Sequence, residues 1–293
     1  MPRSRVSTAQ PTRPLLLGCD FSSSPSRQKP IVMAAGRSKD GGVLLSNLEY
    51  FSTLDAWATR LVQPGEPWIG GFDLPFGLPR ELVQALGWPT GWAACMDHYQ
   101  SLSRADIRSI FKAFCASRPV GQKFAHRATD GPAGSSPSMK WVNPPVAFML
   151  HAGVPLLRQA GAYMPGLMPA PAEPPRRVAL EAYPGLLARA VLGRRSYKSD
   201  DKARQTPDRQ EARQLLVAAL ESGQCAGLRL RLDAAQRTLL VDDARGDSLD
   251  AVLCLLQAAW ALQQHQQGEP LYGLPTGMDP LEGWIVLSTA PGR

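Results

Sequence analysis

The chain has 293 residues, 44% of them hydrophobic and 19% charged, enough apolar content to bury a core and to exclude a chain disordered by composition. No apolar run approaches the ~20 residues that a membrane-spanning helix needs. Net charge is +7, and between Arg176 and Arg213 ten Lys or Arg stand against five Asp or Glu. That local excess of five positive charges suits a polyanion, although charge runs are more often solvated helix faces.

The head "MPRSRVSTAQPTRP" is basic, lacks acids and has no signal-peptide core, so residues 1–12 are expected to be a disordered tail before a single domain over 13–290. "RPLLLGCDF" reads as a buried strand ending at Asp20. "KPIVMAAGRS" and "GGVLLSNLEYF" are strands joined by the hairpin signal "KDGG". "STLDAWATRLV" has helical spacing and a Ser52 or Thr53 cap. "EPWIGGFDLPFGLP" is a fourth strand, ending at Asp73 before Pro75.

Helices follow over Pro79–Gly87, Trp92–Ser101 and Arg104–Ser117, then a polar, mobile loop over residues 118–139. "NPPVAFMLHAGVPLLRQAG" is helical, and the proline-rich stretch 164–175 is a surface linker. "RRVALEAYP" is a fifth strand carrying Glu181, followed by a basic, helical region to Gly223. "LRLRLDAAQRTLLVDD" fits a hairpin or a helix, "GDSLDAVLCLLQAAWALQQ" is an almost uncharged helix, and "EGWIVLS" is a last short strand. The order implies an α/β domain with a mixed central sheet flanked by helices, carrying helical insertions. Five cysteines without a C-x-x-C pair point to reduced thiols in a cytoplasm, and the four histidines show no metal-site spacing.

Asp20 and Asp73 each close an apolar strand, at the carboxyl edge where open α/β sheets bind ligands. Taken singly, a strand-end aspartate is more often a turn residue. Glu181 is a third strand-end acid, with Arg176 or Arg177 as its plain structural partner. Asp247 and Asp250 have a simple reading as N-cap and N3 acid of the helix they open. Their (i, i+3) spacing also puts both on one helix face. Jointly, the five acids suit oxygen coordination of Mg2+ or Mn2+, ions that prefer carboxylates to His or Cys. A cap alone predicts that Asp250→Asn loses stability with or without metal. A ligand cluster predicts a metal-free variant at least as stable as the parent.

The order of elements and acids looks like the RNase H-like superfamily, and "DSLDAVLC" resembles the D-x-x-D-A helix of RuvC-type resolvases. More closely, "GCDFSSS", "GFDLPFGLP", "LEAYPG", "YKSDDKARQTPDRQEAR" and "DSLDAVLC" resemble domain-of-unknown-function family 429, predicted RNase H-like nucleases. The resemblance implies Asp20, Asp73 and Asp250 as metal ligands, with Asp247 as a further ligand and Glu181 as a further catalytic acid. It puts Tyr197, Lys198 and Arg209 at polar, phosphate-facing positions, and the basic segment adds Arg194, Arg195 and Arg204. The expected activity is a two-metal nuclease, hydrolysing phosphodiesters of DNA or RNA. Alternatives are an actin- or sugar-kinase-like phosphotransferase, for which "GCDFSSS" would be a phosphate loop, and a non-catalytic nucleic-acid-binding scaffold.

Overall fold

In the computed structural model, which describes residues 14–289, the first three strands form an antiparallel meander of β1 (Leu15–Asp20), β2 (Ile31–Lys39) and β3 (Gly42–Phe51). The tail expected over residues 1–12 lies outside the described residues. The β2–β3 turn has positive φ at both Asp40 (46°) and Gly41 (72°), the backbone that a tight two-residue hairpin requires. Helix α1 (Leu54–Val62) starts at Thr53, whose side chain accepts from the Ala56 N–H at 3.1 Å. It carries the chain over to β4 (Trp68–Asp73), which runs parallel to β1.

Helices α2 (Arg80–Ala85), α3 (Trp92–Ser101), α4 (Arg104–Ala116), α5 (Asp130–Ala133) and α6 (Val146–Gln159) precede β5 (Arg177–Glu181), parallel to β4. Then come α7 (Pro184–Leu192), α8 (Pro207–Ser222), β6 (Arg229–Arg231), α9 (Ala234–Asp242) and α10 (Asp247–Gln266). The sheet order is β5-β4-β1-β2-β3-β6, a mixed six-stranded sheet with helices on its faces, consistent with an RNase H-like α/β fold.

Strand alternation divides two cores. Leu17, Cys19, Met33 and Phe72 face one, with Trp57, Tyr99 and Phe111. Leu16, Val32, Ala34 and Ile69 face the other, filled mainly by α8 and α10. Most of α10 is buried, which accounts for its lack of charge beyond the first turn.

Three expectations need correction. "EGWIVLS" is buried but forms no strand. Its amides instead bond outward, Val286 N to Glu181 O (3.0 Å) and Ile285 N to Thr129 Oγ1 (3.1 Å), so the apolar run plugs the end of β5. The stretch 118–139, read as a polar mobile loop, contains α5 and buries Arg127, Thr129, Asp130 and Met139. Its polar side chains satisfy one another inside, which composition cannot distinguish from solvation. The linker over 164–175 is exposed only from Pro169 to Pro174, because Met164 is core. The open stretch "LRLRLDAAQRTLLVDD" is both things at once, the short β6 and then α9, separated by a capping box of Asp233 and Gln236.

Candidate metal centre

Two glycine contacts set the site. On the parallel β1–β4 pair, Gly18 lies opposite Gly71 and Asp20 opposite Asp73. A Cβ at Gly18 would stand 2.1 Å from Ala251 O, and one at Gly71 would stand 2.5 Å from Cys254 O. Helix α10 therefore rests directly on the two strands, which only glycine permits. Two residues further along each strand, on the same face, the carboxylates of Asp20 and Asp73 meet the first turn of α10. There Asp250 is fully buried, and one carboxylate oxygen from each of the three lies within 4.8 Å of the other two.

The start of α10 does not depend on these acids. Its N-cap is Gly246 in the left-handed region (φ 74°), with no side-chain cap of its own. Asp243, upstream, accepts from the amides of Ser248 (2.8 Å), Gly246 (3.2 Å) and Arg245 (3.2 Å). The capping reading of Asp247 and Asp250 is thus replaced by Asp243. Asp250 instead accepts from the Tyr197 hydroxyl on Oδ1 and the Lys198 ammonium on Oδ2. Among the described residues neither Asp20 nor Asp73 accepts a hydrogen bond.

Electrostatics follow from that packing. Burial, then Asp250, pushes Asp73 up to about 7, while Lys198 pulls it down. Burial and the Asp250 charge hold Asp20 well above the usual carboxylate range. Asp250 is raised by burial and restrained by Lys198. Burial works to lower Lys198, but Asp250 outweighs it and holds the ammonium well above its ordinary value. Asp247 is pushed up to about 6 by burial, Asp243 and Asp250, yet it sits on the cleft wall outside the trio.

Glu181 closes β5 nearby but is engaged elsewhere. Arg127 grips both its oxygens (2.7 and 2.8 Å), and the Phe76 amide donates to Oε2 at 3.0 Å. The partner read from sequence, Arg176 or Arg177, is replaced by Arg127, which Asp130 holds from the other side. The pair ties the 118–139 stretch to the sheet edge beside Asp73.

Asp20 and Asp73 line a cleft of about 640 Å³, whereas Asp250 is fully buried and does not reach it. Of the basic residues expected at phosphates, Lys198 lines it. Arg195 pairs with Asp208 and Glu211 (both 2.6 Å), Arg204 with Asp201 (3.6 Å), Arg209 donates to Arg204 O, and Arg194 is exposed. The cleft cations that sequence reasoning missed are Lys29, Arg104 and Arg245. Arg245 stands just before α10, which carries Asp250, and that adjacency was its available signal. Lys29, before β2, and Arg104, at the first turn of α4, border elements without a site acid, and local charge density pointed elsewhere.

Residues 18–275 match the model of the family described as protein of unknown function (DUF429). The chain belongs to this family. The matched span runs from the glycine that receives α10 to the turns beyond that helix, so it takes in the whole trio. No curated protein and no solved structure matches the chain.

Proposed function

We propose that this member of the family is a metal-dependent nuclease, hydrolysing phosphodiesters of nucleic acid with Mg2+ or Mn2+ held by Asp20, Asp73 and Asp250. The observation that carries this is the convergence of three carboxylates, from β1, β4 and α10, two of which, Asp20 and Asp73, line an open cleft. The donor set fits a hard divalent cation. It is all oxygen, and burial and mutual repulsion disfavour its ionised form, which a dication would stabilise as Lys198 now does for Asp250. An ion bound there supplies Lewis-acid stabilisation of a phosphoryl oxygen and lowers the pKa of water.

The chain's own residues do the rest. Four acids and four cations line the cleft, so an added dication turns it net positive and lets a phosphate backbone enter. Lys198, partly exposed, holds a phosphate oxygen once it leaves Asp250. Lys29 and Arg245 hold flanking phosphates, and Arg127 and Glu181 keep the wall beside Asp73 in place. Five free, buried thiols support a reducing compartment, the cytoplasm. Among the described residues no helix is long and apolar enough to cross a membrane.

The test is hydrolysis of DNA, RNA, hybrid and branched substrates with each metal, by the parent and by Asp20→Asn, Asp73→Asn and Asp250→Asn. Metal-dependent cleavage lost in all three variants is the expected result. No cleavage of any substrate by the parent, or full cleavage by the variants, would overturn the reading.

A further inference from the structure

The cleft also carries a recognition surface that the acid trio does not use. Arg104 stacks over Phe148, its guanidinium carbon 5.2 Å from the ring centroid. The same group donates to Ser24 Oγ at 2.8 Å and to Ser23 O at 2.5 Å. One face of the guanidinium is thus against an aromatic ring, and its edge is fastened to the β1–β2 loop. Phe148 is 6% exposed, so the platform is backed by the core. Arg104 itself is exposed and lines the cleft with Pro144 and Met149, which supply apolar wall.

A flat, pre-oriented cation in an apolar niche is what an unpaired nucleobase stacks on, and guanidinium planes serve this role beside aromatic rings. Size agrees. About 640 Å³ lies within the range of pockets that enclose one small ligand, and Asp20 and Asp73 line it together with Arg104. A phosphate that reaches Asp20 and Asp73 brings its own nucleotide into the cleft that Arg104 also lines. Within a duplex that requires unstacking a base, whereas a single strand has little such cost. Phosphates to either side meet Lys29, whose ion pair with Asp200 (2.7 Å) is exposed on both sides and cheap to exchange, and Arg245.

We infer that the cleft takes an unpaired strand, with one base stacked on the Arg104–Phe148 platform beside the reacting phosphate. This rests on the nuclease reading and specifies its substrate class.

The experiment is anisotropy titration of the full chain, with calcium, against a labelled single strand, its duplex, and the same strand carrying one abasic site. The parent should bind the single strand at least about fivefold tighter than the duplex, the low end of what one base stack contributes. Arg104→Ala and Arg104→Lys should both lose that margin, and abasic placement should no longer matter in either. Lysine keeps the charge, so its salt dependence should stay near the parent's. Equal parent affinity for duplex and single strand, or full affinity in Arg104→Lys, would overturn the inference while leaving the nuclease reading intact. No binding of any nucleic acid would overturn both. Melting temperatures of the two variants, substituted at an exposed position, check that the fold is retained.

Discussion

The Lys198 ammonium is bonded to the carboxylate of Asp250, the fully buried acid of the trio, while the lysine side chain itself remains 41% exposed. One positive group therefore balances three carboxylates from a stem that can swing outward. Lys198 thus does part of what a divalent ion would do, and an ion held by the trio would compete with it for Asp250.

Lys198→Met should show that competition. Without metal the variant should be less stable by about 1–3 kcal/mol, below the cost of breaking a fully buried pair because the lysine is partly solvated. Its affinity for Mn2+, measured by calorimetry, should rise about tenfold, as expected for removing one charge from the edge of the site. Unchanged or weaker Mn2+ binding would show that Lys198 does not compete with the ion.

The three acids should separate when changed singly to asparagine. Among the described residues the Asp20 and Asp73 carboxylates accept no hydrogen bond, and they carry like-charge repulsion, so their variants should be as stable as the parent, or more so, in chelator. Asp250→Asn should lose about 1–3 kcal/mol in chelator, because an amide cannot accept from both Tyr197 and Lys198. A bare carboxylate cluster would instead predict a gain for Asp250 as well; the two donors reverse that expectation for it. With Mg2+ or Mn2+ only the parent should gain its full rise in melting temperature. Equal losses for all three, in both conditions, would remove the cluster from the account.

Stability of the metal-free protein should fall as pH rises from about 4 to about 7. Asp73, near 7 in the fold, and Asp247, near 6, hold protons there that the unfolded chain releases near its ordinary carboxylate values. The folded state binds more protons in that window, so its advantage is complete below the unfolded value and is lost through the folded one. One such proton contributes a slope of up to about 1.4 kcal/mol per pH unit. Urea midpoints across pH, for the parent and for Asp73→Asn, measure it. The variant should be flatter; an identical slope would assign the effect to other groups.

Glu181 and Arg127 should behave as scaffold. Arg127→Met leaves Glu181 and Asp130 buried together without a cation and should cost about 3–5 kcal/mol. Glu181→Gln should cost less, because Asp130 still holds Arg127. Its Mn2+ affinity should match the parent's, whereas Asp73→Asn should lose it. Lost metal binding in a well-folded Glu181→Gln variant would instead make Glu181 a ligand.

Local pattern was enough for β1 to β5, a cap at Ser52 or Thr53, most helices and the strand-end positions of Asp20, Asp73 and Glu181, because each depends on periodicity or turn chemistry within a few residues. The candidate ligands were legible for the same reason, as acids closing apolar strands. What those acids meet was decided by the tertiary structure. Register on the β1–β4 pair, with Gly18 and Gly71 admitting α10, joined Asp250 to Asp20 and Asp73. Arg127 claimed Glu181, and the cleft cations came from Lys29, Arg104 and Arg245 rather than from the densest basic stretch, whereas the Asp243 cap is local, within five residues of the amides it holds. Coulomb and hydrogen-bond partners are chosen by distance in space, and separations of 54 residues for Arg127–Glu181 and 230 for Asp20–Asp250 leave no periodic trace of that choice.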